Sequence, residues 1–103
     1  MIAREWRGET READAETYFQ YLQETGVQHC KGVRGNRGVL LVRRVHDGKA
    51  EFVFTSFWDS LEAIKAFAGP EYEKAVYYPE DERFLLGMNP HVLHYEVLVR
   101  PEA

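Results

Sequence analysis

The chain has 103 residues, a formal net charge of −4 and a pI near 5.5. This length accommodates one domain, and the acidic balance excludes the basic surface that nucleic acid or an anionic membrane would need. Cys30 is the only cysteine, so an intrachain disulfide is excluded and a structural zinc site is not expected. The first residues lack the apolar core of a signal peptide, and no apolar run is long enough to span a membrane. We therefore expect a cytoplasmic protein with a single domain over residues 1–103.

The first third of the chain predicts a strand followed by a helix. Residues 2–7 are β-prone and end at Gly8. Apolar residues then recur at helical spacing, which predicts a helix from about 11 to 25, and Gly26 is expected to end it. Residues 27–38 contain three glycines and are expected to form a loop or a bulged segment that leads into a strand.

The clearest local signal is a β-hairpin. Two strand-like runs, 39–46 and 49–58, are joined by an Asp-Gly pair at 47–48, which is typical of a two-residue turn. This turn fixes the register and places Arg44 opposite Glu51, a favourable cross-strand pair. In that register both faces of the hairpin are largely apolar, whereas a sheet with one wet face alternates apolar and polar residues. We therefore expect helices to cover one face and a second copy of the chain to cover the other.

The rest of the chain predicts one more helix, shorter helical turns and a last strand. Asp59 followed by Glu62 is similar to a capping box, so we expect Asp59 to cap a helix that ends at Gly69. The further elements expected are a short helical piece over 71–78, helical turns over 79–86 and a strand over 91–100. The order β-α-β-β-α-β predicts an α+β fold of ferredoxin-like topology with an antiparallel sheet.

The second strand of the hairpin and the helix after it carry a family resemblance. The segment 54–60, FTSFWDS, is followed by a helix with Ala63, Ile64 and Phe67, and this pattern resembles the antibiotic biosynthesis monooxygenase superfamily. Further similarity to a mostly uncharacterised branch of that superfamily is found at 66–70, 77–81 and 94–97. The resemblance covers about residues 2 to 99, and it implies a homodimer that forms a dimeric α+β barrel.

Haem-degrading members of the superfamily use an Asn on the first strand, a Trp on the second helix and a His about ten residues later as the iron ligand. The first strand of this chain offers Arg4, Glu5 and Trp6 instead of an Asn. Phe67 stands where the Trp would be, and Tyr77 stands ten residues on. The resemblance therefore implies no haem, and no other cofactor is expected.

Cofactor-free members oxidise polycyclic phenols to quinones in a pocket between helices and sheet, with Asn, Trp, Tyr and Arg side chains. Trp58 and Tyr77 or Tyr78 match this looser pattern, and the Asn has no identifiable counterpart. Trp58 is alternatively a packing or dimer-contact residue, because tryptophan buries a large area wherever it lies. The resemblance implies a cofactor-independent monooxygenase that acts on a small, flat aromatic or phenolic substrate.

Candidate site residues follow from the chemistry of that reaction. His94 is either a hydrogen-bonded, half-buried histidine or a proton acceptor for a phenol or an acidic C–H, because imidazole titrates near neutral pH. Residues 77–81 are either a pocket rim, in which Tyr78 donates to a substrate oxygen and Asp81 orients a partner, or an aromatic helix end before an acidic turn. The catalytic candidates are His94, Tyr78 and Asp81, and the substrate-binding candidates are Trp6, Phe67, Tyr77 and Phe84.

Other partners are limited by the same sequence. His91 and His94 point to opposite faces of a strand, so no metal site is expected. The expected partners are a second copy of the chain and a small molecule, without nucleic acid or membrane. Two functions remain open beside the oxygenase: a non-catalytic small-molecule-binding or stress-associated dimer, and a domain that serves assembly alone. Convergence of His94, Tyr78 or Asp81 on one cavity would favour the enzyme.

Overall fold

A four-stranded antiparallel sheet organises the computed structural model, which describes residues 1–101. The strands are β1 (Ile2–Arg11), β2 (Asn36–His46), β3 (Lys49–Trp58) and β4 (Leu93–Glu96). They lie in the order β2-β3-β1-β4, and each neighbouring pair is antiparallel. This order confirms the α+β fold of ferredoxin-like topology.

Helical segments connect the strands and pack on one face of the sheet. They are a 3-10 turn (Glu12–Asp14), α1 (Ala15–Leu22), a π-helical turn (Gln23–Val27), α2 (Gln28–Lys31), α3 (Leu61–Ala68) and α4 (Asp81–Phe84). The first four segments follow one another without a break. No helix formed by residues 1–101 combines the length and the apolar character needed to cross a membrane.

The expected end of the first helix at Gly26 is wrong, because the helical backbone continues through the π-helical turn to Lys31. Gly26 is buried, and a Cβ at this position would lie 3.3 Å from the ring of Phe54. The glycine therefore lets the helix backbone approach the sheet closely instead of ending the helix. Residues 27–31 were expected to be part of a loop, but they belong to this continuous helical segment.

The predicted hairpin is confirmed, including its register. Arg44 lies opposite Glu51, and the Arg44 Nε is 3.0 Å from the Glu51 carboxylate. Asp47 and Gly48 have φ values of 52° and 73°, as a type I′ turn requires. The expected bulge at the start of β2 is present as a register shift between Asn36 and Val39.

Four expectations for the second half of the chain are corrected. Ser60 caps α3, since its side chain accepts from the Ala63 N–H, and Asp59 pairs instead with Arg37 at 2.6 Å. Residues 71–78 are not helical, because their backbone pairs with the residues before β4: the Ala75 N–H donates to the Pro90 carbonyl at 2.9 Å. The expected helical turns over 79–86 and the strand over 91–100 shorten to α4 and β4.

The two faces of the sheet are covered differently. The helix face holds two buried apolar clusters, one around Tyr18 and Phe52 and one around Trp58 and Ile64. The opposite face, called the open face below, has no helix among residues 1–101 packed on it. Its exposed apolar residues are Leu40, Val42, Leu93 and Tyr95, with exposed fractions of 52%, 47%, 59% and 47%. The covering of this face by a second copy stays a prediction.

Candidate functional site

A cavity of about 50 Å³ lies between the helix face of the sheet and the helices. Most of its wall is apolar or aromatic, and a small number of polar groups converge on it, which is the usual composition of a small-molecule site. The lining residues are Arg4, Trp6, Tyr18, Leu22, Gly26, Cys30, Phe54, Ser56, Phe67, Val76, Tyr78, Asp81 and Val92.

Arg4 is the charged group of the sheet that reaches this cavity, and it is only 4% exposed. Its guanidinium donates to the carbonyls of Tyr72 and, at 3.0 Å, Lys74, and it lies 5.5 Å from the Phe67 ring centroid. Burial lowers the pKa of Arg4, yet a guanidinium stays protonated in proteins. Among residues 1–101 no carboxylate lies within salt-bridge distance of it. A buried positive charge without an anionic partner therefore faces the cavity.

His94 stands behind Arg4 and does not line the cavity. Its Nε2 lies 3.2 Å from the guanidinium, and because arginine can only donate, Nε2 is the acceptor. Burial, and then the charge of Arg4, lower the pKa of His94 and favour the neutral ring. The ring also packs edge-on against Tyr72, with centroids 5.4 Å apart. This geometry positions Arg4.

Asp81, at the start of α4, is a carboxylate buried in the wall with 3% exposure. One oxygen accepts from the Tyr18 hydroxyl at 2.8 Å, and the other accepts from the Tyr78 backbone N–H at 2.7 Å. Burial raises the pKa of Asp81, and the two hydrogen bonds oppose this only in part. Burial and the charge of Asp81 together raise the pKa of Tyr18, so that phenol remains a donor.

Tyr78 connects the cavity to solvent. Its hydroxyl lies 2.6 Å from Nδ1 of His29, which is exposed on α2 and packs edge-on against Phe67. Burial raises the pKa of Tyr78, so the phenol is protonated at neutral pH. The pair offers a short route by which a proton can pass between the cavity wall and bulk water.

Cys30 and Ser56 line the cavity as neutral groups. Burial raises the pKa of the Cys30 thiol to about 12, which keeps the thiol protonated and removes it as a nucleophile. The Trp58 indole N–H donates to the Ser56 hydroxyl at 2.8 Å, and the Trp58 ring stacks on Phe67. Trp58 is fully buried, as its packing interpretation required.

The four substrate-binding candidates divide into two pairs. Trp6 and Phe67 line the cavity. Tyr77 does not line the cavity. It packs edge-on against Trp6, with ring centroids 6.3 Å apart, and its hydroxyl donates to the Asn89 carbonyl. Phe84 lies in the apolar core against Tyr18 and is also outside the lining.

The predicted residues Tyr78 and Asp81 line the cavity, and so do Arg4 and Tyr18, which were not among the predicted site residues. A signal for Arg4 was available, because strand alternation puts Arg4 on the same face as Trp6. Tyr18 gives no such signal, since its pairing with Asp81 spans 63 positions of sequence.

Solved structures of known proteins share this fold. A candidate antibiotic biosynthesis monooxygenase from Bacillus cereus superposes with a TM-score of 0.66 at 18% identity, over 100% of this chain and 96% of that one. The chain has the fold of the antibiotic biosynthesis monooxygenases. The haem degrader MhuD of Mycobacterium tuberculosis, solved with two haems in its active site, gives a TM-score of 0.59 at 20% identity, over 99% and 100% of the two chains. An MhuD mutant with two manganese protoporphyrin IX molecules per active site gives 0.61 at 19%, over 100% of both chains.

These comparisons confirm, at the level of the fold, the resemblance stated from the sequence. No model of a known protein family matches the chain, and no curated protein matches it in sequence.

The lining residues do not fit haem. The iron of a porphyrin needs an axial ligand such as His, a Cys thiolate or a Tyr. Among the described residues that line the cavity there is no histidine, and Cys30 keeps its proton. Tyr18 and Tyr78 also keep their protons, and their hydroxyls are already bonded to Asp81 and His29.

Proposed function

We propose that this protein is a cofactor-independent monooxygenase of the antibiotic biosynthesis type, which oxidises a small, flat phenolic substrate in the cavity. The observation that carries the proposal is the buried guanidinium of Arg4, which has no carboxylate partner among residues 1–101 and faces an aromatic wall. A phenolate bound there would supply the missing negative charge, and the aromatic wall would hold its ring.

The proposed reaction begins with a proton transfer. The Asp81 carboxylate accepts the proton of a phenol or of an acidic C–H, and its raised pKa brings it closer to the operating pH of a general base. Arg4 stabilises the resulting anion. Its hydrogen-bond donors are fixed in a site with little water, and they lie where the negative charge of the anion develops. His94 holds Arg4 in place, and Asp81 keeps the proton until the water product takes it up.

The deprotonated substrate then supplies the electrons for oxygen. A ring CH₂ conjugated with the phenol is oxidised to C=O, one oxygen atom of O₂ enters the product, and the other leaves as water. The substrate loses four electrons and O₂ gains four, so no cofactor is needed. A fused aromatic ring is larger than the cavity, so binding must displace part of its wall. We propose that this part is the wall segment 71–80, which contains no helix.

The same proposal includes a homodimer in which two open faces pack together. Four apolar side chains on this face are about half exposed, which is unfavourable in a monomer. A second copy of the chain presents an identical face, and a two-fold axis lets the two faces cover each other.

Oxygen uptake with a panel of anthrones, hydroquinones and related phenols tests the enzymatic part. We expect uptake of one O₂ per substrate with at least one compound, and ¹⁸O from ¹⁸O₂ in the quinone product. His94→Ala should lower the rate, whereas His91→Ala, a change of an exposed histidine three residues away, should not.

The alternative function is a non-catalytic dimer that binds a small molecule in the same cavity. The panel separates the two, because binding can be followed independently through the fluorescence of the two tryptophans, of which Trp6 lines the cavity and Trp58 stacks on the lining residue Phe67. A phenol that binds without any oxygen uptake, across the whole panel, would reject the oxygenase in favour of the binder.

A further inference from the structure

Three potential metal ligands meet on the open face, close to the hairpin turn. Glu9 of β1, His46 of β2 and Glu51 of β3 each bring one ligand atom to within 4.8 Å of the other two. The sheet register produces this group: Glu9 lies directly opposite Glu51, and His46 lies opposite Lys49, two residues from Glu51. Diagonal neighbours on one face of an antiparallel pair are within reach of long side chains.

The two carboxylates in this group are poorly compensated. Like charges directly opposite each other destabilise a pair of strands. One oxygen of Glu51 is 3.0 Å from the Arg44 Nε. Within residues 1–101 no Lys, Arg or His nitrogen lies within salt-bridge distance of Glu9. The negative charge that is left over would be balanced by a bound cation.

The hydrogen bonding of His46 leaves its Nε2 able to donate an electron pair to a metal ion. Its Nδ1 lies 3.3 Å from the Asp47 carboxylate, which can only accept a hydrogen bond, so Nδ1 carries the proton. Nε2 of the same ring is buried and has no hydrogen-bond partner. A histidine whose second nitrogen is held by a carboxylate is the usual arrangement around a bound metal ion.

We propose that Glu9, His46 and Glu51 bind a divalent cation of the zinc type, through one oxygen of each carboxylate and Nε2 of His46. Zn²⁺ accepts mixed nitrogen and oxygen ligands, and three protein ligands leave the fourth tetrahedral position to water. Mg²⁺ and Ca²⁺ prefer oxygen alone. Two carboxylates and a neutral imidazole balance the charge of the ion. Arg44 occupies one oxygen of Glu51 and leaves the other for the metal.

The site lies on the open face, whereas the cavity lies on the other face of the sheet, so the proposal does not depend on the oxygenase activity proposed above. The histidine pair considered from the sequence, His91 and His94, contributes nothing to it. The three ligands come from three different strands, so a bound ion would fasten the hairpin to β1.

Zinc binding by the full chain tests the proposal. After chelator treatment, calorimetric titration with Zn²⁺ near neutral pH should give one ion per chain, a much weaker response to Mg²⁺, and a rise in Tm. His46→Ala and Glu9→Gln should each weaken binding at least tenfold. Asp47→Gly should weaken it about 10- to 100-fold, because it removes the acceptor that supports the ligand ring, and glycine tolerates the positive φ of this turn position. His91→Ala is the matched control and should bind zinc as the wild type does.

A second measurement guards against variants that merely unfold. Without metal, Glu9→Gln should raise the Tm slightly, because it removes the opposition of two carboxylates, and the zinc-dependent rise should vanish. No zinc binding by the wild type, as expected if His46 is a plain imidazolium between the two carboxylates, would overturn the proposal. Undiminished binding by both His46→Ala and Glu9→Gln would also overturn it.

Discussion

The two faces of the sheet differ in the groups that they bury and expose. On the helix face, Arg4 and Asp81 are almost completely buried, and backbone groups or a tyrosine hydroxyl satisfy their hydrogen bonds. On the open face, Leu40, Val42 and Leu93 are about half exposed. Buried charges are costly unless they are paired, and exposed apolar groups are unfavourable in water. The helix face therefore holds a buried cation without a carboxylate partner, which the proposed anionic ligand would pair, and the open face exposes apolar surface, which the proposed second copy would cover.

The largest expected effect concerns the helix face. Replacing Asp81 by Asn should lower oxygen uptake about 10²- to 10⁴-fold, because the amide cannot accept the substrate proton. The measurement is kcat with the substrate that the phenol panel identifies. Glu82→Gln changes an exposed carboxylate in the same helical turn and should leave the rate unchanged. Equal losses in the two variants would mean that the buried carboxylate has no special role.

The next effect concerns the open face. Val42→Glu should shift the proposed dimer toward monomers by at least about tenfold in dissociation constant, because a carboxylate would lie unpaired between two apolar faces. Val45 lies on the same strand, has the same exposed fraction of 47% and points to the other face. Val45→Glu is therefore a matched control and should leave the dimer intact. Sedimentation at micromolar concentration measures both, and a monomeric wild type would refute the dimer.

A smaller effect tests how tightly the helix face is packed. Gly35 has a φ of +96°, and a Cβ there would lie 2.6 Å from the Cβ of Ala63. Gly35→Ala should therefore lower the free energy of unfolding by about 2–4 kcal/mol, from backbone strain and overpacking together. Gly38 has a φ of +116° and open space around it, so Gly38→Ala reports the strain alone. Urea unfolding should show the larger loss for Gly35→Ala, and equal losses would contradict the tight packing.

The smallest effect is a pH dependence. Burial raises the pKa of Asp81 in the folded chain, so the folded state keeps this proton at a pH where the unfolded state has lost it. Stability due to this group is full below the unfolded pKa of about 3.9 and falls as pH rises to the folded pKa. The free energy of unfolding of wild type minus that of Asp81→Asn should therefore decrease just above pH 4 and then level off. A difference that rises with pH would contradict the raised pKa.

The hairpin was predictable because its information is local. The Asp-Gly pair at 47–48 permits only a few turn types, and the turn then dictates that Arg44 faces Glu51. The capping residue of α3 was misassigned by one position because Asp59 and Ser60 are both good caps. The contact of Asp59 with Arg37, 22 positions away, decides between them.

The cavity was only partly predictable, because its residues come from distant parts of the chain. The acidic and aromatic segment 77–81 could be recognised as unusual, but its contacts with Tyr18 and His29 follow from tertiary packing. The helix expected over 71–78 failed because backbone pairing with residues 90–92 outweighs local helical preference. The group around Glu9 was missed because it needs the register of β1 against β3, which no turn fixes.

The π-helical turn has a consequence for the phase of the first helix. Its buried residues Tyr18, Leu22, Gly26 and Cys30 recur every four positions. In a regular α-helix a step of four residues overshoots a full turn by about 40°, so Cys30 would rotate away from the sheet. The wider turn at Gln23–Val27 absorbs much of this overshoot and keeps the four residues on one line. The turn therefore acts as a one-residue insertion, and deletion of the exposed Glu24 should restore a regular helix with Cys30 still facing the cavity.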